Sequence, residues 1–259
     1  GPLLARIIVN RLWQHHFGEG LVSTPNDFGA QGDRPSHPEL LDWLASELIK
    51  GGWKLKPIHR LIMQSAAYQQ ANVIAPENLK LDPGNRLLWH FNPRRLEAEI
   101  IRGSLLAVGG DLDRTMYGPS ILDNTPRRSV YLRVKRSELI PLMSTFDAPE
   151  PTQSVGERIS TTVPTQALAM MNSPFVRTQA ERLAQTCRPA PQIALETAID
   201  RAYRTALSRT PTAPERERAL AFIQQQRDLL GGPNPANESQ ALVEWCQVLL
   251  CLNEFVYID

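Results

Sequence analysis

Residues 146 to 166 carry the side chains best suited to chemistry. Asp147 and Glu150 are carboxylates three positions apart in a stretch without periodicity, followed by Arg158, Thr161, Thr162 and Gln166. Two carboxylates at a suitable separation can share acid/base work on a glycosidic bond. The same residues suit a ligand site, with Arg158 as a fork for an anion and Thr161 and Gln166 as polar contacts. The commoner arrangement for such residues is a structural clamp, in which Arg158 pairs with Asp147 and Thr162 caps a helix opening at Pro164. Spacing alone leaves all three open.

Other candidates are scattered. Ser36-His37-Pro38-Glu39 has capping-box spacing, which places His37 in the first turn of a helix. The positive end of a helix favours a neutral imidazole, able to act as base or ligand. His15 and His16 close an earlier helix. Neighbours on a helix point about 100° apart, so they suit a single metal poorly. His59 and His90 have no evident partner. Asp27-Phe28-Gly29 has the letters of the kinase magnesium motif, but no glycine-rich phosphate loop or His-Arg-Asp loop accompanies it. The simpler reading has Asp27 capping a turn and Phe28 plugging the core, with Asp27 kept as a ligand-contact candidate. The basic stretch from Arg127 to Arg136 can set Tyr131, Arg133 and Lys135 on one strand face, either as a nucleic-acid or anionic-glycan stripe or, more commonly for such a pattern, as a solvated surface.

Several classes are excluded. No zinc-protease HExxH, Walker loop, nucleophile elbow or triad signature occurs. The three cysteines, Cys187, Cys246 and Cys251, include no Cys-x-x-Cys, which rules out an all-cysteine zinc site and a covalently attached haem within this chain. No metal ligands or cofactor contacts are read from this sequence. A formal net charge of +1 gives no general attraction to nucleic acid, and no apolar run nears the roughly 20 residues that span a bilayer. With 42% hydrophobic residues the chain is too apolar to be disordered. It opens in mid-pattern at Gly1-Pro2, with no signal peptide, and reads as a piece of a longer polypeptide.

The elements that must position these residues are mostly helical. Rows Leu4-Ile8-Leu12 and Val9-Trp13-Phe17 predict a helix over 4–17, with Asn10 on a polar face. Further helices are expected from Ser36 to Lys50 on Leu40, Leu41, Leu44 and Leu48, over 57–70, and over 95–108. Residues 71–93 read as irregular. Alternation at 129–135 predicts a strand with Val130, Leu132 and Val134 inward, needing a partner near Ser120–Leu122. Beyond the irregular 146–163 segment the pattern is helical again, with a second capping box at Thr212–Glu215. Arg188-Pro189-Ala190-Pro191 suggests a boundary, giving a main helical domain at 1–188 and a C-terminal helical subdomain at 189–259. The fold class expected is mainly α, a multi-helix globular domain with long irregular loops and at most a small two- or three-stranded β element.

Longer strings carry a resemblance. Val9-Asn10-Arg11-Leu12-Trp13-Gln14-His15-His16-Phe17-Gly18, Thr24-Pro25-Asn26-Asp27-Phe28-Gly29 and His37-Pro38-Glu39-Leu40-Leu41-Asp42-Trp43 resemble the planctomycete-type domain of unknown function 1553. Arg94-Arg95-Leu96-x-Ala98-Glu99, Phe146-Asp147-Ala148-Pro149, Thr161-Thr162-Val163-Pro164 and Asn172-Ser173-Pro174-Phe175 agree with it. Gly103 departs, standing where that pattern has an aspartate after Arg102. The resemblance implies a C-terminal part of a large exported, extracytoplasmic protein, with a cytochrome-like domain upstream. It implies a setting in electron transfer or polysaccharide metabolism, partners among the other domains of the same polypeptide or a polysaccharide, and haem only in another domain. It supplies no catalytic residues. The first functional reading is therefore an accessory interaction domain. The alternatives are a glycan-active enzyme using Asp147, Glu150 and His37, and a module binding anionic polysaccharide through the Arg133 stretch.

Overall fold

A computed structural model describes residues 1–122, 125–152 and 154–258. Twelve α-helices dominate the described residues, and the sheet has only two strands, so the fold is mainly α. The chain divides into two compact units, Gly1–Arg94 and Arg95–Ile258.

In the first unit, α1 (Pro2–Phe17), α2 (Pro38–Lys50) and α3 (Leu55–Met63) pack on one another. Pro2 opens α1 where a missing N–H costs nothing, and Gly18 closes it at a φ of 90°, which favours glycine. The buried stripe of α1 is Ala5, Val9, Leu12 and Trp13, while Leu4 is exposed. Asn10, expected on a polar face, is wholly buried. Its amide donates to the Val22 carbonyl at 3.0 Å and accepts from the Val22 N–H at 2.8 Å, so it pins the loop after α1. The expected capping box at Ser36 does not form. His37 is the N-cap of α2, and the Ser36 hydroxyl donates instead to the Leu21 carbonyl. Helix α3 is shorter than 57–70, and a short α4 (Pro76–Leu81) interrupts the irregular stretch after it.

The second unit begins at Arg95, the second residue of the short strand β1 (Arg94–Arg95), and ends in β2 (Tyr257–Ile258), with which β1 pairs. Its helices are α5 (Ala98–Val108), α6 (Pro141–Thr145), α7 (Pro164–Asn172), α8 (Pro174–Cys187), α9 (Leu195–Leu207), α10 (Ala213–Leu229), α11 (Pro235–Leu250) and α12 (Asn253–Val256). Leu183, Ile199, Ile223, Leu242 and Leu249 are wholly or almost wholly buried where α8, α9, α10 and α11 pack. The Arg188–Pro191 stretch connects α8 to α9, which pack together. Glu215 reaches back to accept from the Thr212 N–H at 2.7 Å, as the capping-box spacing predicts.

The strand expected at 129–135 is reduced to two isolated bridges. Ser129–Tyr131 is a 3-10 turn, Leu132 pairs in parallel with Ile121, and Lys135 bridges only to Glu138 across the turn that follows. The pairing segment is the one expected, but Val130 and Val134 are exposed rather than inward. Of the three apolar residues in the alternation only Leu132 is even partly buried, too little to hold a strand against the turn preference of Ser129.

Candidate functional site

The irregular segment is pinned before it is open. Helix α6 ends on the buried Phe146, and Asp147 follows at a φ of 59°, a left-handed conformation that aspartate tolerates better than most residues. The carboxylate of Asp147 collects donors from three directions. Arg95 Nη2 lies 2.5 Å from Oδ2, the Thr161 N–H donates to Oδ2 at 2.8 Å, and the Thr161 hydroxyl donates to Oδ1 at 2.9 Å. The Gln166 amide adds a bond at 3.3 Å and also donates to the Thr145 carbonyl at 3.1 Å. Burial pushes the Asp147 carboxyl up, but the Thr161 donors, the Arg95 charge and the Gln166 amide more than reverse this and hold it below the usual range.

The clamp is real but uses another arginine. Arg158, expected on Asp147, instead forks onto Glu99 in the first turn of α5, at 2.7 and 2.9 Å, with Glu97 at 3.5 Å. Burial raises the Glu99 carboxyl, and the Arg158 hydrogen bonds outweigh that and lower it. Thr162 does not cap α7 either. Its hydroxyl lies 3.3 Å from the Tyr257 hydroxyl, and Val163 is the N-cap.

Beside this clamp lies a groove of about 550 Å³. Leu132, Ile140, Met143, Ala148 and Pro149 are among its aliphatic lining residues, and Val134, Val155 and Ile159 add exposed apolar surface. Its charged residues are of both signs. Lys135 pairs with Glu138 at 3.2 Å, while Arg133, Glu150 and Glu157 form no ion pair among the described residues. Asp147 and Arg158 also line it. Thr161 and Gln166 serve the clamp beneath. The segment 146–163 and the 132–135 stretch therefore meet in one place, although Gln153 lies outside the described residues.

The family whose model matches the chain is PSD1, described as "Protein of unknown function (DUF1553)", over residues 1–223. The chain belongs to the PSD1 family. No curated protein and no solved structure matches it.

Other candidates in this PSD1 chain have local roles. Asp27 accepts from the Gly29 N–H at 2.8 Å, and Phe28 packs against the first unit's core, the turn-capping arrangement. His37 Nδ1 lies 3.0 Å from the Ser36 hydroxyl. Both belong to the first unit, and neither lines the groove. Arg127 is buried 4.0 Å from the Tyr131 ring centroid and donates to the Thr115 and Tyr117 carbonyls, so the basic stretch is not one solvated stripe. Among the described residues no three or more His, Cys, Asp or Glu side chains gather to hold a metal ion. No described helix is long and apolar enough to cross a membrane.

Sequence reasoning missed Arg95, Glu99, Glu138, Glu157 and Ile159. It also missed the contact between His16 Nε2 and His59 Nδ1, at 2.8 Å, because α1 and α3 meet only in three dimensions.

Proposed function

We propose that this chain is an accessory interaction domain of a larger exported, extracytoplasmic protein linked to haem-domain electron transfer or polysaccharide metabolism, and that the groove along 132–159 is where it holds its partner. The observation behind this role is the groove's composition, an aliphatic floor with unpaired charges at its edge. That is the anatomy of a recognition surface. The carboxylate that an enzyme would use first, Asp147, supports the same reading. It carries several donors and is held low, which makes it a poor proton donor near neutral pH. Glu138, Glu150 and Glu157 share the groove with Arg133 and Lys135, a mixture that disfavours a polyanion.

A photoreactive residue placed at Ile159 in the parent polypeptide tests the role. Ile159 is 79% exposed, and Leu229, 73% exposed on α10, serves as control. Cross-links from 159 to another domain or a partner, absent from 229, are expected. Equal labelling from both positions would sink the docking reading. Oligosaccharide hydrolysis abolished by Glu150→Gln would move the groove to the enzyme reading.

A further inference from the structure

The groove has a feature that its side chains alone do not explain. Leu132, Arg133, Val134 and Lys135 line it consecutively, so the backbone itself runs along the wall. One edge of this stretch is occupied. The Ile121 N–H donates to the Tyr131 carbonyl at 2.8 Å, and the Arg133 N–H donates to the Ile121 carbonyl at 2.9 Å. In extended backbone the alternate residues face the other way. There the Val134 N–H, the Val134 carbonyl and the Leu132 carbonyl have no hydrogen-bond partner among the described residues. Val134 is also 71% exposed. Proteins commonly blunt such an edge or cover it, because it is a template for another strand.

We infer that the groove's occupant is an extended polypeptide segment that adds as a strand to the Leu132–Lys135 edge. The inference rests on the groove reading above and names the partner's chemistry. Val134 exchanges both of its backbone bonds with one residue of an added antiparallel strand, and the Leu132 carbonyl accepts from a residue two positions along it. Main-chain pairing of this kind needs no particular sequence, so specificity falls to the side chains. Apolar residues at alternate positions of the segment meet Val134 and the floor of Leu132, Ile140 and Met143. An acidic residue pairs with Arg133, and a basic one with Glu150 or Glu157.

Two other occupants fit less well. A sulfated glycan or nucleic acid would meet Arg133 and Lys135 but also Glu138, Glu150 and Glu157. A neutral sugar stacks its faces on aromatic rings, and none of the groove's lining residues is aromatic.

The test pans a displayed library of random dodecapeptides against the intact chain, with the Val134→Pro chain as counter-selection. Proline removes the unpartnered Val134 N–H at an exposed position, and Val134→Thr, which keeps it, controls for folding. Enriched peptides are then synthesised with and without N-methyl groups at alternate residues, which leaves the protein untouched. Expected are sequences with apolar residues every second position and charges of both signs between them. Their affinity should fall about tenfold or more on N-methylation in one register and hardly at all in the other. Binding equal in both registers, yet lost in Ile159→Glu, overturns the added strand and leaves the groove reading standing. Failure of any sequence to enrich over the counter-selection also overturns it. So does an oligosaccharide that occupies the groove while no peptide does. Cross-linking from position 159 then decides the groove reading separately.

Discussion

Arg95 Nη2 and Asp147 Oδ2 lie 2.5 Å apart across 52 positions of sequence, and the arginine side chain is only 5% exposed. The Arg95 Nε and Nη1 atoms are buried without partners, and its guanidinium sits 5.3 Å from the Phe146 ring centroid. Asp147 is thus the ion-pair partner of a buried cation, and it also fixes the start of the groove loop through Thr161.

Removing that carboxylate leaves the cation uncompensated. Breaking a buried pair from one side costs about 3–5 kcal/mol, and Asp147, 21% exposed, sits toward the lower end at about 3 kcal/mol for Asp147→Ala. Arg95→Met removes the charge together with its burial cost and is expected to cost less. Urea unfolding of both variants measures the difference. Asp147→Ala within about 0.5 kcal/mol of the parent would remove the clamp from the account.

Acid should loosen the same unit. Asp147 and Glu99 are held below their unfolded values, and Glu215, bonded to Arg209 and the Thr212 N–H, is pushed down to about 2. A depressed carboxyl means that the unfolded chain binds more protons once pH falls below about 4.5. Their stabilisation is therefore complete above that pH and is lost progressively toward pH 2. The Tm measured from pH 6 to pH 2.5 is expected to fall mainly below pH 4.5, with a smaller slope in Glu215→Gln. An identical slope in that variant contradicts the assignment.

How much of this was legible depends on the distance over which each contact is made. Helices came through because their apolar spacing and caps are local: Leu41, Leu44 and Leu48 on α2, and Thr212 with Glu215 on α10. The irregular course of 146–163 was visible as a loss of periodicity. The partner of Asp147 was not, because Arg95 and Arg158 are equivalent as letters and only the fold brings one of them near. Arg95 and Glu99 did stand inside a family string, Arg94-Arg95-Leu96-x-Ala98-Glu99, so the signal existed without its geometry. Asn10 misled for a related reason. A polar residue on a helix reads as solvent-facing unless the loop it holds is known.

The first unit has its own pH sensitivity. His16 is lowered by burial, then by His59, Arg94 and His15 around it. A histidine held neutral in the native state is protonated more readily in the unfolded chain. Stability is then full above about pH 6.5 and declines as pH falls through that value. His59→Gln keeps a polar group at the 2.8 Å contact and removes one repelling neighbour. Amide exchange in α1 and α3, compared at pH 7.5 and pH 5.5, should show protection lost at the lower pH in the parent and less so in the variant. Equal losses in both would exclude the pair as the cause.

Thiol reactivity offers a test of the second unit's core. Burial pushes the Cys187 thiol up to about 11, and the wholly buried Cys246 is raised as well, with Cys187 near it. At pH 8 the Cys187 thiolate is then about one part in a thousand, and the thiolate is the reacting form. Cys251 is raised by burial too but is only partly covered. Native protein treated with a small alkylating reagent is expected to modify Cys251 first, with Cys187 and Cys246 protected for as long as α8 and α11 remain packed. Unfolding in urea should release all three at one rate. Fast modification of Cys187 in the native state would mean that the contact between α8 and α11 opens far more readily than its buried Leu183 and Leu249 imply.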